Sequence, residues 1–181
     1  MTALRIEKDN ILIRDLTDDD LPIMLKWLTD ERVLEFYEGR DTAFTMKTLS
    51  EHYKEEPDGG SRVIIEYKGK PIGYGQVYPL KDGMFEEYDY PKSEAAVYAM
   101  DQFIGEPDHW DHGIGTAYVR IMTSYLKTEK AADVVLLDPH KSNPRAVRAY
   151  EKAGFKIIRE LPEHEMFEGK KEDCWLMELK L

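Results

Sequence analysis

The sequence predicts an α/β (α+β) fold, a mixed sheet with helices packed on its faces. Three observations carry the prediction. Strand-like and helix-like segments follow one another in the order β, helices, β-hairpin, β, α, β, α, β, β. Two apolar runs, at 97–104 and 134–138, read as neighbouring buried strands, and each is followed by a helix. A glycine turn, His112-Gly113-Ile114-Gly115-Thr116, opens the helix between them. No repeat, low-complexity tract or linker interrupts the chain, so residues 1–181 read as one domain, long enough to bury a core without staples.

Each element has a local reason. Residues 11–14 form a short strand, and Thr17-Asp18-Asp19-Asp20 places capping side chains ahead of Leu21, Met24, Leu25 and Leu28 at helical spacing. Helical patterns recur at 30–36 and 45–53, with a loop at 37–40 and a surface turn at 55–60. Segments 62–67 and 72–78 read as a hairpin closed by Lys68-Gly69-Lys70-Pro71. Gly73 and Gly75 share a face of its second strand, which points to a bulge or to close approach by a backbone or ligand. The acidic, aromatic stretch 82–93 reads as irregular, and the last strands fall at 155–159 and 174–179. In the helix after the glycine turn, beginning at Thr116, the inner face is Tyr118, Met122, Tyr125 and Leu126.

Composition narrows the partners. Lys and Arg number 25 against 36 Asp and Glu, a net charge of −11 that repels nucleic-acid phosphates and favours cations. The single cysteine, Cys174, excludes an internal disulfide and fits a reducing compartment. No apolar run reaches the roughly 18 residues of a membrane span, and the N-terminus lacks a signal-peptide core. The expectation is a soluble cytoplasmic protein with no nucleic-acid or membrane partner.

The glycine turn suits a diphosphate, because glycines admit close backbone approach and a helix N-terminus presents N–H donors. It lacks the third glycine of a dinucleotide fingerprint and the Gly-Lys-Ser/Thr of a P-loop. Further on, Asn143-Pro144 is an N-cap followed by proline at the first helical position, and Gly154 stops that helix. Lys141, Arg145, Arg148 and Lys152 make this stretch basic within an acidic chain, which suits a phosphorylated cofactor. Tyr150 reads either as core or as a functional phenol. His109, Asp111 and His112 do not form a metal motif, for there is no His-Glu-x-x-His and they lie inside the diphosphate loop.

Trp110-Asp111-His112-Gly113-Ile114-Gly115 matches Gln/Arg-x-x-Gly-x-Gly/Ala, and Asn143-Pro144, Ala146 and Tyr150 to Phe155 match a second signature. On these residues the chain resembles the GCN5-related N-acetyltransferase (GNAT) superfamily. Glu35 to Gly39, Pro71 to Gln76, Met100 to Gly105 and Leu137-Asp138-Pro139 look like aminoglycoside 6′-N-acetyltransferases, among them the acetyltransferase half of the bifunctional staphylococcal and enterococcal enzymes. The resemblance covers nearly the whole chain. Trp110 departs from the family's Gln or Arg, which bears on one side-chain contact to phosphate and leaves the backbone cradle.

The resemblance implies a mostly antiparallel twisted sheet whose splayed parallel strands hold acetyl-CoA as co-substrate, with no metal. It implies direct attack of an amine on the thioester, so Cys174 is a packing residue. It places the coenzyme against Gln102, Phe103, Ile104, Trp110, His112, Gly113, Ile114, Gly115, Thr116, Asn143, Ala146, Tyr150 and Lys152. It implies Phe36, Tyr37, Gln76 and Tyr78 on the aminoglycoside. Carboxylates suit a polycation, which adds Asp82, Glu86, Asp101 and Asp138, with Phe85 as a flat wall. Asp101 shares a strand face with apolar Val97, Ala99 and Phe103 and is the candidate base. Asp138, at the next strand's end, shares that work, orients the ring or caps a turn. Tyr150, a phenol of ordinary pKa near 10, would protonate the leaving thiolate, and a backbone N–H of the Asp101 strand would meet the oxyanion. Two other readings stand beside this one: an acetyltransferase of the same fold acting on a protein N-terminus or polyamine, and an acetyl-CoA-binding module without turnover. Monomer and homodimer are both compatible.

Overall fold

Fourteen strands and α-helices follow one another across the described residues, 3–54 and 57–181, of the computed structural model. They are β1 Arg5–Lys8, β2 Ile11–Asp15, α1 Leu21–Trp27, α2 Glu31–Leu34, α3 Met46–Tyr53, β3 Ser61–Tyr67, β4 Lys70–Pro79, α4 Asp82–Glu87, β5 Val97–Ile104, α5 Ile114–Lys130, β6 Val134–Leu137, α6 Pro144–Lys152, β7 Lys156–Phe167 and β8 Lys170–Lys180. Strand order is β1-β2-β3-β4-β5-β6-β8-β7. β5 and β6 are parallel, while β1–β2, β2–β3, β6–β8 and β7–β8 are antiparallel, which gives the mixed sheet expected. No helix among the described residues is long and apolar enough to cross a membrane.

The chain divides into two compact units, residues 1–76 with 101–115, and residues 77–100 with 116–181; β4, β5 and α5 contribute residues to both. The first unit is built around Met24, Trp27, Leu28, Leu49, Tyr74 and Phe103. Thr17 caps a short 3-10 turn, Asp18–Asp20, that leads into α1. Asp20 is buried and accepts two hydrogen bonds from the Arg14 guanidinium, at 2.7 and 2.8 Å. Burial pushes the Asp20 carboxyl up, but the Arg14 pairing and the Thr17 backbone and hydroxyl bonds together hold it below the usual range. At Gly73 a Cβ would lie 2.5 Å from the Phe103 carbonyl oxygen, so β4 passes too close to β5 for any side chain. Of the two alternatives for this glycine, close approach by a backbone holds.

The second unit is built around Leu80, Tyr88, Val97, Leu136, Cys174 and Leu176. Its β5–β6 pairing runs from Val97↔Val134 to Ala99↔Leu136, while β5 itself continues to Ile104. In α5, Tyr118, Met122 and Leu126 are fully buried and Tyr125 partly so.

Five expectations change. β1 was not expected. The hairpin turn is Lys68-Gly69 alone, both at positive φ, and Pro71 belongs to β4. Residues 82–87 are helical, because Met84 and Tyr88, one turn apart, both pack on the core and Asp82 complements the helix N-terminus. The helix after the glycine turn starts at Ile114, not Thr116. β7 and β8 extend well beyond 155–159 and 174–179: Pro162 is tolerated because β7 is an edge strand whose register shifts between Leu161 and Glu165. Of the expected turn at 55–60, Glu55 and Glu56 lie outside the described residues.

Candidate active site

In the first unit the strand alternation of β5 leaves Asp101 partly buried on the face of Phe103. Gln76 Nε2 donates to Asp101 Oδ2 at 2.8 Å, and Gln76 Oε1 accepts from the Tyr74 hydroxyl at 3.1 Å. The relay fixes the amide and aims its N–H at the carboxylate. Aromatic rings surround it, with Tyr37 and Phe103 centroids 4.6 Å apart and Tyr74 and Phe103 5.6 Å apart. Burial pushes the Tyr37 phenol well above 10, and neighbouring phenols and Asp101 add to this, so it is a neutral donor. A carboxylate oriented by a neutral amide and walled by rings can take a proton from an incoming ammonium or amine.

Beyond β5 the chain turns at Gly105, whose backbone lies on the Trp27 indole; a Cβ there would fall 2.2 Å from the ring. Trp110 Nε1 donates to the Ile104 carbonyl at 2.8 Å, and its ring meets Phe36 edge to face at 6.3 Å. The indole N–H is therefore bonded within the protein and ties the loop to the end of β5. Gly113 sits at φ +76°, and beyond the adjoining residues and the helix's own backbone neither it nor Gly115 has a neighbour within 4 Å of where a Cβ would stand. The turn thus leaves open space beside the N-terminal donors of α5, which fits a diphosphate cradle. His112 is exposed, whereas Ile114 is buried and offers only its backbone.

In the second unit Asn143 Oδ1 accepts from Ala146 N at 3.2 Å, with Pro144 at the first position of α6, as its sequence dictates. No residue of α6 is buried, so Tyr150 is not a core tyrosine; its ring lies 6.3 Å from Phe155. Lys152 is exposed, and its carbonyl accepts from Arg120. Thr116 is buried, and its hydroxyl donates to the Ala149 carbonyl at 3.3 Å, tying α5 to α6 and leaving its backbone at the start of α5.

Asp138 follows β6. Its Oδ2 accepts from His164 Nε2 at 2.9 Å and from the Tyr88 hydroxyl at 3.2 Å. The Tyr88 and His164 rings are 5.4 Å apart. The bond to Asp138 raises the His164 pKa against the opposing effect of burial. Asp138 is a clamped carboxylate rather than a turn cap. His164 had no sequence signal, since its partner is 26 residues away.

The acidic stretch is divided. Phe85 and Glu86 line a cavity of about 470 Å³ with Asp89, Tyr90, Lys92 and Arg159. Asp82 is exposed and pairs with Lys92 at 3.2 Å. The two cations at this cavity are each paired with a carboxylate, Lys92 with Asp82 and Arg159 with Asp89. Tyr78 packs partly buried against the core of the second unit.

The sequence matches the family described as acetyltransferase (GNAT) domain over residues 16–162. It is 30% identical over 154 residues to aminoglycoside N(6′)-acetyltransferase type 1 of Klebsiella pneumoniae, covering 82% of this chain and 75% of that protein. Spermine/spermidine N(1)-acetyltransferase of Bacillus subtilis (strain 168) is 24% identical over 152 residues, covering 84% of this chain and 91% of its own. The crystal structure of aminoglycoside acetyltransferase AAC(6′)-Ib in complex with coenzyme A and kanamycin superposes with a TM-score of 0.75 at 26% identity, covering 94% of each chain.

Proposed function

Because the chain belongs to the GNAT acetyltransferases, and within them to the family of the aminoglycoside N(6′)-acetyltransferases, we propose that it transfers the acetyl group of acetyl-CoA to the 6′-amine of an aminoglycoside, and so confers resistance. The reading rests on the identity to the Klebsiella protein across three-quarters of its length, 75%. The held pair Gln76–Asp101 supports the chemistry. A polyamine is the second reading, favoured by the Bacillus relative, of which the chain covers 91%.

The substrate amine attacks the thioester carbonyl directly, and the C–S bond breaks as the amide forms. Asp101 takes the proton from the amine, oriented by Gln76. Tyr150 returns a proton to the CoA thiolate. Asp138 binds and orients substrate, its Oδ2 held by the His164 imidazole and the Tyr88 hydroxyl. Gly113, Gly115 and the first N–H groups of α5 receive the diphosphate. Tyr37, Phe36 and Gln76 face the aminoglycoside. A single cysteine and dependence on acetyl-CoA support a cytoplasmic setting.

Thiol release from acetyl-CoA, measured with 6′-amino and 6′-hydroxy aminoglycosides, spermine and an Ala-terminated peptide, tests the proposal. Release with the 6′-amino drugs alone is the expected result. Turnover of spermine without the drugs would replace it with the polyamine reading.

A further inference from the structure

Two residues beyond Asp138 along the chain, three ligand-type side chains of the second unit converge, none of them given a role in acetyl transfer. His140 Nε2 and Glu165 Oε2 are 2.5 Å apart, and with the Cys174 sulfur all three donor atoms lie within 4.8 Å of one another. They come from three segments: the loop after β6, β7 and β8. The backbone fixes two of them. His140 bridges Cys174 directly, flanked by Lys141 N to Asp173 O and Trp175 N to Pro139 O, both 2.9 Å. Phe167 holds the His140 ring edge to face at 4.7 Å.

The β7 register supplies the third. Leu161 lies opposite Cys174, and a regular ladder would continue to set Glu165 opposite Lys170, four residues along β8. The shift after Leu161 sets it opposite Glu172 instead, two residues from Cys174. At about 3.3 Å per residue this brings the carboxylate roughly 7 Å nearer the sulfur. Bulges re-aim side chains in this way.

We propose that His140, Glu165 and Cys174 bind zinc(II), with imidazole, carboxylate and thiolate as three ligands and water as the fourth. Two ligands at about 2.0–2.3 Å from one tetrahedral ion stand roughly 3.5 Å apart, inside the range from 2.5 to 4.8 Å spanned here. The ion takes the place of the proton between His140 and Glu165. The aqua zinc ion keeps one water and exchanges the others for three protein ligands; the thiol loses its proton, the His140 imidazolium loses the Nε2 proton shared with Glu165 and keeps the one on Nδ1, both protons pass to buffer, and no oxidation state changes. Sulfur and imidazole select zinc over magnesium or calcium, which prefer oxygen. The ion braces the loop after β6 against β8; it takes no part in the acetyl transfer.

Cobalt(II) titrated into the untagged full chain is the test. One equivalent is expected to give a thiolate-to-cobalt charge-transfer band in the near ultraviolet. Cys174 is the chain's single cysteine, so the band reports this site alone. Zinc should abolish the band and raise Tm. Cys174→Ser should lose the band. Glu165→Gln, at a half-exposed position, should weaken zinc binding at least about tenfold, since even groups supporting a metal ligand contribute 10–100-fold. Absence of the band at stoichiometric cobalt, or unchanged zinc affinity in Glu165→Gln, overturns the proposal whether or not Cys174→Ser folds. Neither result bears on the acetyltransferase assay.

Discussion

Asp101 and Asp20 show two uses of a partly hidden carboxylate. Asp101 is bonded by a neutral amide, Gln76, which orients it and leaves it able to take a proton. Asp101→Asn should lower kcat by about 10²–10⁴-fold, the usual contribution of a general base, with acetyl-CoA affinity unchanged. Steady-state kinetics beside coenzyme titration check this, and an unaltered kcat would remove Asp101 as base. Asp20 instead faces the Arg14 guanidinium and serves stability. Its folded pKa lies below its unfolded value, so the stabilisation is complete above about pH 4 and is lost as pH falls through the depressed value. Urea unfolding between pH 7 and pH 3 should show this loss, and Asp20→Asn should start about 2–4 kcal/mol lower and vary less over that window. The sequence disclosed Asp101 because strand alternation is local. It concealed His164 and the hydrogen bond of Trp110, because each is defined by a partner that only the fold supplies.

Elements followed the same division. β5 was legible to the residue, and α6 was delimited by Asn143, Pro144 and Gly154, since periodicity and caps act over a few residues. α4 and the full length of β7 were not. The first is helical because Met84 and Tyr88 find a core, and the second passes Pro162 because an edge strand needs no inward donor there. Thr116 is expected at the coenzyme by resemblance, and its side chain joins α5 to α6. Thr116→Val should therefore lower stability by about 1 kcal/mol, the worth of one hydrogen bond, without changing KM for acetyl-CoA. A several-fold rise in that KM with Tm unchanged would give its hydroxyl a coenzyme role.

Over the whole molecule the net charge of −11 acts differently on the two substrates. It draws in a polycation and repels the phosphates of CoA. Raising ionic strength should thus raise KM for the aminoglycoside and not for acetyl-CoA, because screening weakens attraction and repulsion alike. A drug KM insensitive to salt would show that rings and neutral hydrogen bonds dominate recognition. The register shift in β7 also matters for what the protein avoids. β7 ends the sheet order among the described residues. Pro162 interrupts the row of donors, the bulge twists it out of line, and Arg159, Glu160 and Glu163 charge it. A second chain meeting that margin finds no straight template on which to add a strand, so the same irregularity guards the protein against fibrous self-assembly at high expression.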